Sequence, residues 1–140
     1  MGKKYGKKSY MFFIIWLIGF FIILITAGLF IEKNFEHAEL STGKILLLLT
    51  LILLNILFYI IYKTEKVYWI NGTSYKEAKA ATSKRRKVFA IKHLKSFFVA
   101  SCIYLIYCIF SFAINSLMID SLVFTIVLIV AAISTIRYKL

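Results

Sequence analysis

The side chains of this chain that could take part in chemistry lie mostly inside long apolar segments. They are amides, hydroxyls, a thiol and a carboxylate, and in the second half of the chain they recur at spacings of three and four. Those spacings place side chains on one face of a helix. The set consists of Asn55, Ser101, Tyr104, Cys108, Ser111, Asn115, Asp120 and Thr125. Such groups form hydrogen bonds between helices in an apolar environment; alternatively, the same face lines a narrow polar pathway.

Two members of this set predict specific contacts. Asn55 lies in the middle of its apolar segment, where an unsatisfied amide would be costly. We therefore expect it to pair with a neighbouring helix, a contact with a ligand or ion being the alternative. Asp120 lies near the start of the last segment, where a carboxylate interacts favourably with the helix dipole or marks the mouth of a pore.

The sequence contains none of the common catalytic signatures. It has no glycine-rich phosphate loop, no GxSxG, no HExxH and no close pair of carboxylates inside an apolar segment. Cys102 and Cys108 are six residues apart and share neither a CxxC spacing nor a helix face. The sequence therefore predicts a protein that is not an enzyme and has no cofactor and no metal site, an intramembrane enzyme being the least favoured alternative.

Four apolar segments must position these side chains. Hydrophobic residues make up 61% of the 140 residues and charged residues 17%, against about 25% charged residues in soluble domains. A membrane-spanning helix needs about 20 apolar residues. The segments cover about residues 11–31, 45–62, 97–115 and 117–136. We predict an all-α integral membrane protein, a single domain over residues 1–140 in which four transmembrane helices form a bundle.

Lysine and arginine are distributed very unevenly around these segments. Sixteen of the 18 basic residues lie before the first segment, between the second and third, or after the fourth, together with only two glutamates. The positive-inside rule places such regions in the cytoplasm. Both termini and the loop at residues 63–96 are therefore predicted to be cytoplasmic. The abundance of Ile, Lys, Phe and Tyr suits an AT-rich bacterial gene, and so predicts a multi-pass protein of the bacterial inner (plasma) membrane.

Helix-start signals occur within the loop at residues 63–96. Asn71-Gly72 favours a turn. Ser74 and Glu77 have the spacing of a capping box, in which each residue bonds the backbone amide of the other. A second helix start is predicted at Thr82-Ser83.

A basic amphipathic helix is predicted for the second half of this loop. Val88, Ile91 and Leu94 share one face, and the helix lies on the inner leaflet or runs directly into the third span. Its cations are candidates for docking to anionic lipid or to a partner, the alternative being that they only fix the topology. They are Lys84, Arg85, Arg86, Lys87, Lys92 and Lys95. No nucleic-acid-binding motif accompanies the net charge of +12, so nucleic acid is not an expected partner.

These patterns predict a small bacterial membrane protein that acts without catalysis, through a membrane protein partner or as a homo-oligomer. Accessory subunits, regulators and immunity proteins have this character. The alternative is a small channel or carrier with a polar pathway along the third and fourth helices. No Asp, Glu, Lys or Arg lies near the middle of any apolar segment, which disfavours a proton-coupled carrier.

Overall fold

The computed structural model describes residues 5–34, 39–70, 72–111 and 116–140, with the backbone alone for residues 39–41. Within these ranges the regular structure is helical, without a strand. The helices are α1 (Met11–Asn34), α2 (Glu39–Thr64), α3 (Tyr75–Ala80), α4 (Ser83–Phe110) and α5 (Leu117–Ile136), with a short 3-10 helix at Val67–Trp69.

Four of these helices are long and apolar enough to span a membrane, which confirms the predicted all-helical architecture with four membrane helices. They are α1, the Thr42–Thr64 part of α2, α4 and α5. α4 begins at Ser83 rather than near residue 97, because the basic stretch and the third apolar segment form one continuous helix. The 28 residues of α4 extend over roughly 42 Å at about 1.5 Å per residue, which exceeds a hydrocarbon core of about 30 Å.

Local signals fix the starts of α3 and α4. The Ser74 hydroxyl accepts a hydrogen bond from the Glu77 amide (3.1 Å), and the Glu77 carboxylate accepts one from the Ser74 amide (2.7 Å). This reciprocal pair confirms the predicted capping box. The Thr82 hydroxyl accepts a hydrogen bond from the Arg85 amide (3.3 Å) and caps α4, as predicted.

Two residues in left-handed backbone conformation reverse the chain between α2 and α3. Glu65 follows the last residue of α2 and has a φ of 58°, a conformation common just after a helix C-terminus. Gly72 has a φ of 84°, which glycine adopts without a steric penalty. Gly72 belongs to the turn predicted at Asn71-Gly72, of which Asn71 lies outside the described residues.

α2 is the centre of the bundle. It packs on α1, α4 and α5, and α4 also packs on α5. Leu51, Leu53 and Ile61 of α2 are buried. In α1, by contrast, Ile31 is the one buried residue of the helix. α1 therefore lies at the edge of the bundle and turns most of its apolar surface outward.

An apolar core lies around the C-terminal end of α2 and joins α2, the 3-10 helix, α3 and α4. Its buried residues are Leu57, Ile61, Val67, Tyr68, Ile70, Ala78, Phe89 and Ala90. Tyr5 near one end of the described chain and Tyr138 near the other pack against this core, so both chain ends lie at the same end of the bundle. We call residues 63–70 and 72–95, together with the segment 5–10, the basic module.

The face of α4 that is buried inside the protein within the basic module is the Phe89 side of the helix. Arg86, Phe89 and His93 are buried, whereas Val88 is exposed over 45% of its surface. Of the predicted apolar face, Val88 therefore points away from the protein core, while Ile91 and Leu94 are half-buried. The reason is that α4 packs on both α2 and the 3-10 helix, which select the Phe89 side of the helix.

Candidate functional site

Polar side chains in the middle of the bundle meet where α2 packs on α4. The Asn55 amide donates hydrogen bonds to Ser101 Oγ (2.6 Å) and to the carbonyl oxygen of Leu51 (2.9 Å). The Ser101 hydroxyl donates in turn to the carbonyl oxygen of Phe97 (2.9 Å). Asn55 therefore has the cross-helix partner expected of an amide in an apolar bundle.

A buried ion pair lies further along the same bundle, at the end opposite to the basic module. Lys44 Nζ is 3.6 Å from Asp120 Oδ1 and donates a hydrogen bond to the carbonyl oxygen of Ser111 (2.6 Å). The Tyr107 hydroxyl donates to the same Asp120 oxygen (2.7 Å). Asp120 is fully buried and Lys44 nearly so. These contacts join the start of α2, the end of α4 and the first turn of α5.

Sequence reasoning missed this ion pair. Lys44 lies just before the predicted second segment at residues 45–62, and the sequence suggested no basic partner for Asp120. The available signal was the register of α2, since Lys44 precedes Asn55 by eleven residues, about three helical turns. That spacing places Lys44 and Asn55 on one face of α2, the face that packs on α4.

Tyr104 lies between these two sets of contacts along α4. It is fully buried, and its ring contacts Phe124 at 5.6 Å between centroids. We call this set the polar column: Lys44, Asn55, Ser101, Tyr104, Tyr107, Ser111 and Asp120. Four of its buried polar atoms have no hydrogen-bond partner among the described residues, namely Asn55 Oδ1, Tyr104 OH, Ser111 Oγ and Asp120 Oδ2.

Of the other predicted polar residues, Thr125 does not join the polar column. Thr125 is exposed, and its hydroxyl donates to the carbonyl oxygen of Ser121 in its own helix (2.7 Å). Cys108 is half-buried and lies beside Tyr104 of the polar column, whereas Cys102 is exposed, and both are free thiols. Asn115 lies outside the described residues. The polar face of α4 therefore contacts α2 and the first turn of α5, rather than a matching polar face along the fourth helix.

Arg86, one of the predicted docking cations, is buried inside the module. Its Nε and Nη2 atoms lie 2.9 and 2.8 Å from Glu65 Oε2. Its Nη1 donates to the carbonyl oxygens of Ala78 and Ala81, and its guanidinium carbon lies 4.4 Å from the centroid of the Tyr5 ring. The several donors of one guanidinium thus connect the end of α2 to α3, and its face contacts the N-terminal segment.

Glu65 is the anion around which this part of the basic module is built. The Ser83 hydroxyl donates to Glu65 Oε1 (2.6 Å), and Lys87 Nζ lies 3.8 Å from the same oxygen. Burial alone would raise the pKa of Glu65. The hydrogen bonds from Ser83 and Arg86 and the charges of Arg86 and Lys87 outweigh burial and hold that pKa below its ordinary value of 4.5. Glu65 is therefore ionised at neutral pH.

Within the basic module, the N-terminal segment 5–10 is bonded to the rest of the module. The Tyr5 hydroxyl donates to the carbonyl oxygen of Glu65 (2.9 Å). The Tyr68 hydroxyl accepts a hydrogen bond from the Ser9 amide (3.1 Å) and donates one to the Ser9 carbonyl oxygen (2.9 Å). Burial, followed by the nearby Tyr68 hydroxyl, raises the pKa of Tyr5 to about 12, so Tyr5 is a neutral donor at physiological pH.

The remaining cations of the basic module form its outer surface. Five of the six predicted docking residues are exposed, namely Lys84, Arg85, Lys87, Lys92 and Lys95. Exposed lysines elsewhere in the module are Lys7, Lys8, Lys63, Lys76 and Lys79. The acids in the module sequence are Glu65, which is paired, and Glu77, whose pKa is lowered by the hydrogen bonds it shares with Ser74 in the capping box. The surface of the module therefore keeps a strong positive charge.

No protein-family model matches this chain, and no curated protein and no solved structure matches it either. In the part of the chain that the structure describes, no three His, Cys, Asp or Glu side chains come together in a group that could hold a metal ion. The polar column and the basic module are the two arrangements from which function can be argued.

Proposed function

We propose that this chain is a non-enzymatic, multi-pass membrane protein that acts by binding an acidic region of a membrane protein partner at the basic module. The supporting observation is that the module is folded and its exposed cations are not neutralised by its own acids. A folded surface loses less conformational freedom on binding than a flexible basic loop would, which favours affinity. Accessory, regulatory and immunity proteins work in this manner.

The charge of the module favours a different protein over a second copy of this chain at the same surface. Two copies that met through their modules would bring like charges together, which disfavours association. A homo-oligomer would have to use another surface, such as the outward face of α1. An acidic segment of another protein, by contrast, complements the exposed lysines electrostatically and would be attracted over a longer range than an uncharged one.

We also propose an orientation with the basic module and both termini in the cytoplasm of a bacterial inner membrane. The support is the positive-inside rule, together with the position of both described chain ends at the module end of the bundle. Cysteine labelling tests this orientation in a Cys102→Ser, Cys108→Ser background. An impermeant maleimide applied to intact cells should label Lys33→Cys and leave Lys79→Cys unlabelled. The reverse pattern would contradict the orientation.

Purification in mild detergent from the native host tests the proposed partner. The wild-type protein should elute with one other membrane protein in a fixed ratio. The variant Lys76→Gln, Lys79→Gln, Lys84→Gln should lose that protein, because three exposed cations are removed without touching the buried Arg86–Glu65 pair. The matched variant with arginine at the same positions should retain it. A wild-type protein that elutes alone, or a glutamine variant that keeps its partner, would overturn the proposal.

The second candidate function is a small channel or carrier, favoured by the four unpartnered polar atoms buried in the polar column. Against it, the Lys44–Asp120 pair occupies one end of the column and Thr125 does not line it. Liposomes containing the purified protein distinguish the two functions. Ion or solute flux that is abolished by Ser111→Leu with Asn115→Leu, in a variant that still assembles, would favour the pathway. We expect no flux from either protein.

A further inference from the structure

A large groove lies at the module end of the bundle, and no pattern in the sequence predicted it. Its volume is about 1140 Å³, above the range of about 300–1,000 Å³ for most small-molecule pockets. Aromatic and aliphatic side chains of all four long helices line it, among them Phe13, Phe58, Phe97 and Ile133. Ile133 remains 60% exposed. The groove is therefore apolar and open on the side of α5, where membrane lipid would surround it.

The groove becomes polar and cationic where it reaches the basic module. There it is lined by Thr73, Arg85 and Lys139. Arg85 and Lys139 are exposed, and Arg85 Nη2 donates to the backbone oxygen of Leu140 (2.9 Å), which also lines the groove. The occupant that matches this surface has a long apolar part and an anionic end.

Two further charged residues, one acidic and one basic, lie at this end and leave it positively charged. Glu77 also lines the groove, but its carboxylate already accepts a hydrogen bond from the Ser74 amide in the capping box of α3. Lys92 lies beside the groove, with its ammonium 5.7 Å from the centroid of the Tyr138 ring, which forms part of the wall. The cations therefore outnumber the acid.

We propose that this groove binds an anionic phospholipid, with an acyl chain along the apolar wall and the phosphate beside Arg85 and Lys139. A partner's membrane helix fits less well, because residues of the module and residues 138–140 line the groove beyond the ends of α2 and α5. A second copy of this chain would bring the same cations to the site and be repelled. This lipid site does not depend on the proposed protein partner.

Native mass spectrometry of the purified, delipidated full chain tests the site with phosphatidylglycerol and phosphatidylcholine as probes. The wild-type protein should retain one phosphatidylglycerol with a preference of roughly tenfold over phosphatidylcholine, because each cation near an anionic headgroup strengthens binding several-fold. Arg85→Gln with Lys139→Gln should abolish the preference. Lys79→Gln with Lys84→Gln removes the same charge from residues that do not line the groove, and should preserve it.

A bulky side chain in the groove tests the apolar part of the site. Ala132 lines the groove and is exposed, so Ala132→Trp should displace the lipid and lower its retention by about tenfold or more. Val130→Trp introduces the same side chain on the same helix at a residue that is 61% exposed and does not line the groove. It should bind lipid like the wild type.

A second measurement uses Trp69, which lines the groove, and does not require a bulky substitution. In a Trp16→Phe background, phosphatidylglycerol with brominated acyl chains should quench Trp69 fluorescence at lower concentrations than brominated phosphatidylcholine does. Equal quenching by the two lipids would overturn the proposal. Equal lipid retention by the Ala132→Trp and Val130→Trp variants would also overturn it. So would a lipid-free dimer of the wild-type protein that dissociates in the Ala132→Trp variant. None of these outcomes bears on whether a protein partner co-purifies.

Discussion

Replacing Arg86 by glutamine should open the basic module while leaving the membrane helices intact. Arg86 is 6% exposed, and its removal leaves Glu65 without its closest cation and the carbonyl oxygens of Ala78 and Ala81 without a donor. Removing one partner of a fully buried ion pair costs about 3–5 kcal/mol. The cost is smaller here because the Glu65 side chain is 20% exposed and still contacts Lys87 and Ser83. We therefore expect Arg86→Gln to lower the free energy of opening of the module by about 2–4 kcal/mol, which is roughly 30- to 700-fold in the opening equilibrium.

Hydrogen–deuterium exchange of the purified protein measures this change residue by residue. Backbone amides of residues 65–86 should exchange faster in Arg86→Gln by that factor, whereas amides in the middle of α1 and α2 should not change. Lys84→Gln removes the same charge from an exposed position and should alter exchange by less than about 0.5 kcal/mol. Arg86→Lys should be intermediate, because lysine keeps the charge but lacks the several donors of the guanidinium.

The Glu65–Arg86 contact can be isolated with a double-mutant cycle. Glu65→Gln and Arg86→Gln should each accelerate exchange, and the double variant should be little worse than either single variant because the two residues act on the same contact. If Arg86→Gln exchanges like Lys84→Gln, or if the effects of the single variants simply add, Arg86 does not organise the module and the reasoning is refuted.

Three further predictions concern stability. Lys44→Met should destabilise the protein by about 3–5 kcal/mol in thermal unfolding in detergent, because it leaves Asp120 buried and unpaired. Lys44→Met with Asp120→Asn should recover most of this loss. An equal loss of stability in the single and the double variant would contradict the ion pair. Asn55→Leu should cost about 0.6–2 kcal/mol in the same assay, and no measurable loss would mean that its bond to Ser101 contributes nothing. Because the pKa of Glu65 lies below 4.5 in the folded protein, the stability it contributes is complete above that pH and is lost as the pH falls through the lowered pKa. Exchange protection of the module should therefore fall in acid, and Glu65→Gln should remove the part of this pH dependence that comes from Glu65, leaving the smaller part from Glu77 in the capping box.

The four spans and the helix caps could be predicted because their causes are local. A segment of about 20 apolar residues has to form its backbone hydrogen bonds within itself in lipid, whatever the rest of the chain does. The capping box of Ser74 and Glu77 joins residues three apart, and Thr82 bonds an amide three residues on. Such contacts are determined by the sequence around them, so they can be recognised without knowledge of the tertiary structure.

The functional surfaces depend on contacts between distant residues, which a single sequence does not reveal. Lys44 and Asp120 are 76 residues apart, and Glu65 and Arg86 are 21 apart and separated by α3. The sequence identified Arg86 as one of several similar cations, and only its burial against Glu65 and α3 distinguishes it from Lys84 and Lys87. The burial of the Phe89 side of α4 in the module has the same origin, since packing against α2 and the 3-10 helix decides which face is buried.

The most direct test of a partner at the basic module is photo-crosslinking in intact cells from defined positions. A photoreactive amino acid in place of Lys79 or Lys84 should capture one protein, and in place of Ile25 on the outward face of α1 it should not capture that protein. The crosslink from position 84 should disappear when Lys76 and Lys79 are replaced by glutamine, and the crosslink from position 79 should disappear when Lys76 and Lys84 are replaced. Capture of that protein from Ile25 alone, or of a second copy of this chain from the module, would contradict a partner bound at the basic module.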